Sequence, residues 1–167
     1  MWKEVETAFH KKMKKYRKEK INILMQESMG NEINSYCGVG EIQFGMKESQ
    51  IYDICENKLD KVVGKYTDEY KLFWQDKGIC IICNKQGECV AIEGNILSKI
   101  KYKGMELVGK SYNEAKKYLL QYGKEIDEND CGCTIYDLGI GLYVPTLKAG
   151  EDEEVEGVIA FVRGYYE

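Results

Sequence analysis

GICIICNKQGECVAIEG, residues 78–94, decides how the rest of the chain is read. It holds Cys80, Cys83 and Cys89 and admits three readings: part of a metal clamp, a redox site, or the middle of a sheet. Zinc knuckles place C-x2-C on a tight turn so that both sulfurs converge. Here ICIIC is an isoleucine-rich apolar run between turn signals, too short for a helix, and it predicts a central strand. Side chains three residues apart on a strand point to opposite faces, so Cys80 and Cys83 diverge. A reactive C-x-x-C needs a helix N-terminus to lower its thiol pKa, and none follows Cys83. NKQG, with Gly87 free to take positive φ, predicts a hairpin connection and ECVAI its return strand. The three thiols then serve as small buried apolar residues. Cys131-x-Cys133 would bring the count to the four thiols of a structural zinc site, but its spacing is not the usual one. The expectation is no metal and no cofactor.

Working outward, EYKLFW predicts a strand with Leu72 and Trp74 on one face, turned by QDKG. Before it, KESQIYDICENKL predicts a helix with Ile51, Ile54, Cys55 and Leu59 inward, and VGEIQFG a half-buried strand with Ile42 and Phe44 on one side. After the hairpin the same order returns. MELVG predicts a strand, and Ser111 and Glu114 form a capping box that opens a helix through AKKYLLQYG, with Ala115, Tyr118, Leu119 and Tyr122 as its apolar side. CTIYDLG, GIGLYVP and VEGVIAFV predict three further strands. FGMKESQI matches VGKSYNEA, GICIIC matches GIGLYV, and ECVAI matches VEGVIAF, an internal repeat offset by about 64 residues. Each unit, about 39–94 and about 104–163, reads as strand, helix and three-stranded meander.

Two such units side by side make one antiparallel sheet with both helices on one face and the other face free. The fold class is therefore α+β, with residues 31–167 as a single domain. Residues 1–30 precede it as an amphipathic helix, in which Trp2, Val5, Phe9, Met13 and Tyr16 recur at spacings of three and four and Leu24 extends the stripe. Gly30-Asn31 predicts its stop.

A chain of 167 residues buries about 70% of the surface its unfolded form exposes, so it needs no disulfide or metal to be stable. Apolar residues at 44% and charged residues at 31% fit a globular chain that dissolves in water. Seven cysteines cannot all pair internally. With no secretion-type opening segment and no run of about 18 apolar residues, this predicts a reducing cytoplasm and no membrane. The net charge of −4 is uneven. Residues 1–20 carry eight Lys/Arg against three Glu, a basic arm before an acidic body.

Signatures of catalysis are thin. His10, the single histidine, sits in the basic segment, where an exposed polar role fits better than a base. There is no G-x-S-x-G and no P-loop, and CGVGEIQFG does not fit G-x-G-x-x-G in frame. The carboxylates of Asp127, Glu128, Asp130 and the run from Glu151 to Glu156 read as solvated acidic loops. The expectation is that the protein is not an enzyme.

Two features point to binding. Thirteen tyrosines supply rigid amphipathic contact area of the kind enriched at interfaces. The acidic body attracts a basic partner and speeds encounter. Candidate contacts are Glu151, Asp152, Glu153, Glu154, Tyr143 and Tyr136, with Trp74 if its strand faces outward. The alternative is a nucleic-acid-binding or regulatory adaptor that uses KKMKKYRKEK. The lysines there fill the face opposite the apolar stripe, as in any solvated amphipathic helix, and the acidic remainder opposes nucleic acid.

Phe44-Gly45-Met46-x4-Ile51, then Gly78-Ile79 and Val90-x-Ile92 in a meander, resembles small bacterial immunity proteins of polymorphic-toxin and contact-dependent inhibition systems. The duplicated helix-plus-meander is more loosely similar to beta-lactamase inhibitory protein. The resemblance covers about residues 39–163 and carries no functional residue across. Related sequences have Ser or Thr after the Gly-Met pair as helix N-cap, and Lys47 stands there instead. The resemblance implies a cytoplasmic, non-catalytic protein that occludes the active site of a cognate toxin domain through about 800 Å² per partner.

Overall fold

The computed structural model describes residues 14–20, 30–145 and 152–166. The chain divides into two compact units, Met1–Gly30 and Asn31–Glu167. In the first, residues 14–20 are helical (α1), with Lys15 and Glu19 one turn apart at 3.9 Å and Tyr16 exposed. Trp2, Val5, Phe9, His10, Met13 and Leu24 lie outside the described residues.

The second unit is α+β. Its main sheet has eight strands, all antiparallel: β4 (Asp60–Val63), β5 (Tyr70–Trp74), β6 (Ile79–Cys83), β7 (Cys89–Gly94), β10 (Ile126–Asn129), β11 (Gly132–Ile135), β12 (Ile140–Tyr143) and β13 (Gly157–Phe161). Their spatial order is β10-β11-β12-β13-β7-β6-β5-β4. Two four-stranded meanders therefore meet where β13 pairs with β7, Ala160 opposite Ile92. A helix precedes each meander: α2 (Glu48–Ile54) and α3 (Tyr112–Leu119). The short strands β1 (Ile33–Asn34), β2 (Gly38–Val39) and β3 (Ile42–Gln43) form a small sheet, and β8 (Lys101–Tyr102) pairs with β9 (Met105–Glu106).

The stretch 78–94 is the hairpin the sequence predicts. All five residues of β6 are buried, as a strand flanked on both sides must be. The Asn84 side chain closes the turn by accepting from the amides of Gln86 and Glu88, both at 3.0 Å. Cys83 and Cys89 join the main core, while Cys80 lies in a second cluster with Ile82, Ala91 and Phe161. The two thiols of C-x-x-C thus sit on opposite faces of one strand.

That alternation holds along every inner strand. Leu72, Ile81, Ile92, Ile135, Ile140 and Ala160 point into the main core, which also takes Ile51 and Cys55 of α2 and Tyr112, Ala115 and Leu119 of α3. Each fully buried Ile or Leu stabilises the fold by about 2 kcal/mol relative to exposure.

Polar ties fix the helices over the sheet. Tyr70 donates to Glu48 of α2, which also takes Lys61 at 2.9 Å. The phenol of Tyr112 on α3 donates to Glu128 of β10, which takes Lys116 at 2.6 Å. Helix α3 shows the Ser111 half of the predicted capping box, Ser111 Oγ accepting from the Glu114 amide at 3.2 Å, while the Glu114 carboxylate lies 4.0 Å from Lys110. Helix α2 lacks that side-chain cap because a lysine ammonium has no acceptor. Its reciprocal half survives, the Lys47 amide donating to Gln50 Oε1 at 2.9 Å.

Three sequence expectations need correcting. VGEIQFG is a tight hairpin, β2 and β3 around Gly40-Glu41 with Gly40 at φ 57°, and not one strand. MELVG contributes only Met105 and Glu106 as strand, although Leu107 and Val108 are buried. Each meander has four strands, not three. The extra strands, β4 and β10, are the sheet edges, and all their residues are at least partly open to solvent. Their charges oppose edge-to-edge pairing.

Glu128 gives a pH prediction. Its hydrogen bonds from Lys116 and then Tyr112 hold its carboxyl below the ordinary value of 4.5. Asp137, which accepts from the amides of Lys124 and Glu125, is lowered in the same way. A carboxyl with a depressed folded pKa binds fewer protons folded than unfolded, so its contribution is complete above the ordinary value. Urea midpoints should be flat above about pH 5.5 and fall as pH drops through 4.5 and below. Glu128→Gln should flatten that fall, and an unchanged acid limb would remove Glu128 from it.

Candidate binding face

The sheet face opposite the helices is only partly covered. The C-terminal turn lays Tyr165 on Phe161, stacked at 5.9 Å, and Tyr166 meets the same ring edge-on at 5.0 Å. These rings shelter the second cluster. Beside them the sheet stays open as a concave groove of about 680 Å³.

The groove follows from strand register. Thr134, Gly141, Ile159, Glu93, Cys80 and Phe73 stand side by side across six strands. Asp127 extends that row at one end and Asp60 at the other. In the next row Gly132 and Gly157 flank Tyr143, which is half exposed. Glycine at Gly141 and Gly157 removes side chains that would fill the hollow. Among the described residues lining it, the charged ones are Glu93 and Glu156, both acidic. Lys71, outside the lining, reaches Glu93 Oε2 at 3.3 Å. The wall carries Phe73, Tyr143 and Tyr166, with the amides of Gln75, Asn95 and Asn129 among them.

Cys80 lies in this floor. Burial first, and the Glu93 carboxylate second, push its thiol up to about 12, so it stays protonated at neutral pH. It is a packing group there. Among the described residues no three His, Cys, Asp or Glu side chains are placed to hold a metal ion. Cys131 and Cys37 are the exposed thiols, and the other five are buried. Brief treatment of the native chain with iodoacetamide should modify two cysteines by intact mass, and seven only after unfolding. Early modification of Cys80 would contradict the packing described.

The residues singled out from sequence scatter. Tyr143 lines the groove. Tyr136 lies beyond Tyr166, in a neighbouring hollow of about 410 Å³ with Asp137 and Tyr36, on whose ring Arg163 stacks at 4.1 Å. Trp74 packs against the main core, on the helix side. Asp152 accepts from Ser111 Oγ at 2.6 Å and from the Asn113 amide at 3.0 Å, holding the start of α3. The Glu153 carbonyl accepts from Tyr112 at 2.7 Å, and Glu154 bridges Ser111. Glu151 lies outside the described residues. The acidic segment is thus partly committed to the helix. Sequence reasoning missed Glu93, Gly141, Gly157 and Ile159, and took Tyr166 only as one of the tyrosines suited to contact. The signal was the alternation itself, since ECVAIEG carries Glu93 in phase with Ala91 and opposite in phase to Ile92.

Family models, curated proteins and solved structures yield no match to this chain. Among the described residues no helix is long and apolar enough to cross a membrane.

Proposed function

We propose that this protein is a non-catalytic immunity protein that binds a cognate bacterial toxin domain, a basic nuclease, and neutralises it in the cytoplasm by occluding its active site. One observation carries the reading: a concave sheet face left uncovered beside the C-terminal tyrosines, whose charged lining residues, among the described ones, are acidic. A concave wall with aromatic anchors and buried neighbours suits a convex protein element. The acidic body adds steering toward a basic one. No cofactor enters this function.

The same proposal takes the body as two strand-helix-meander units, and several matched features support it. Gly45 and Gly109 precede the two helices at φ 84° and 82°. Gly45 donates to Cys89 and Cys89 to Met46, both within 0.1 Å of the equivalent bonds of Gly109 to Val155 and Val155 to Lys110. Each unit also closes its helix onto its sheet with one Tyr, one Glu and one Lys. The basic N-terminal segment, residues 1–30, is taken as an amphipathic helix.

The test is capture of the tagged full chain's partner from its native host's lysate, followed by co-expression of the captured domain. A single stoichiometric partner with a small basic C-terminal domain, toxic alone and harmless with this chain, is expected. Recovery of nucleic acid in place of such a protein would overturn the reading and favour the basic N-terminal segment as the working part. Charge reversal of Glu151, Glu153 and Glu154 should slow association several-fold, with Asp152 left intact because it holds α3. An unchanged on-rate would remove that segment from the interface.

A further inference from the structure

We propose that Glu93 is the seat for a cationic side chain, arginine or lysine, carried into the groove on a convex loop of a protein partner. This rests on the reading of the protein as a binder of a basic protein and names the point of contact. Glu93 stands on β7, at the middle of the eight-stranded sheet, so its backbone is held on both sides by β6 and β13. Its neighbours in the row, Cys80 and Ile159, are uncharged and partly or wholly buried, which strengthens a charge pair formed over them.

Gly141 and Gly157 leave room for partner backbone to reach the floor, and Tyr166 offers a ring face at the rim. Charge complementarity selects the occupant. Among the described residues, Glu93 and Glu156 line the hollow and no Lys or Arg does. Lys71 contacts Glu93 through Oε2 alone. A carboxylate accepts at two oxygens, so a guanidinium can fork onto Glu93 while Lys71 remains or swings away. The acidic segment near α3, by contrast, already spends Asp152 on the helix.

The probe is an N-acetylated Gly-Arg-Gly amide, titrated at low salt into the ¹⁵N-labelled full chain, beside its neutral citrulline counterpart. The expected result is saturable amide shifts at Thr134, Gly141, Gly157 and Ile159, with the arginine peptide roughly tenfold tighter than citrulline. Glu93→Gln should erase that preference. Lys71→Gln, which frees the carboxylate, should keep or strengthen it. Equal shifts from both peptides, shifts confined to other surfaces, or equal loss in both variants would overturn the proposal. The two readings separate cleanly. A captured toxin domain that binds Glu93→Gln as tightly as the parent chain sinks this inference alone. A groove that prefers arginine in a protein with no toxin partner sinks the inhibitor reading alone.

Discussion

Gly157→Trp should cost the protein its partner, weakening binding by about 100-fold or more, with little change in stability. The position permits such a separation. Gly157 sits in β13 on the groove side, outside the left-handed backbone region, and an added Cβ there meets nothing closer than 3.7 Å. Tryptophan favours a strand, and its indole would stand where partner backbone has to enter. Calorimetric titration against the captured partner gives the affinity, and thermal unfolding gives the control. A Tm within about 3 °C of the parent, with binding lost, is the expected pair of results. Retained binding would place the interface off the groove.

The largest effect on stability is expected from Gly132→Ala, a loss of about 3 kcal/mol in urea unfolding. Gly132 begins β11 at φ 130°, and a Cβ there would lie 1.9 Å from the Leu142 carbonyl oxygen. The clash is with the backbone of the paired strand, so no side chain can swing aside. Either β11 and β12 part, or the turn before them rearranges. Gly104→Ala is the matched control. It has a positive φ of 84° but nothing within 4 Å, so only conformational strain of about 1 kcal/mol is expected. Similar losses at both positions would show that crowding against Leu142 is not the cause.

The legibility of this fold in its sequence follows the physics of strands. Inner strands announce themselves because burial demands a continuous apolar run, as in ICIIC, or apolar residues at every second position, as Tyr70, Leu72 and Trp74 in YKLFW. The edge strands IDEN and DKVV carry neither signal. They are held by backbone hydrogen bonds to one neighbour, and their side chains face water. Hence each meander read one strand short. VGEIQFG misled for another reason: alternation survives a two-residue turn, so a hairpin and a strand share the pattern.

The candidate site was less legible than the fold. Tyr143 drew notice from sequence as a tyrosine near the acidic run, a residue type suited to interfaces. Glu93 did not, because one carboxylate acquires meaning only from its register with Cys80, Ile159 and Gly141, and register is a property of pairing between distant segments. The acidic run divides. Charge density marks it as a binding loop, and within it Asp152 is held by Ser111 and the Asn113 amide. Glu128 likewise answers to Lys116 and Tyr112 within its own unit.

The division of each strand between two faces has a consequence for how such a molecule changes over generations. Odd and even positions answer to different demands: one set packs against the helices, the other is shared between the second cluster under the C-terminal tyrosines and the open groove. Thr134 and Tyr143 stand outside both clusters, whereas Phe73 and Ile159 also pack on the second. If the proposed inhibitor reading holds, the contacts at Thr134 and Tyr143 are where recognition could drift while the core behind them is conserved.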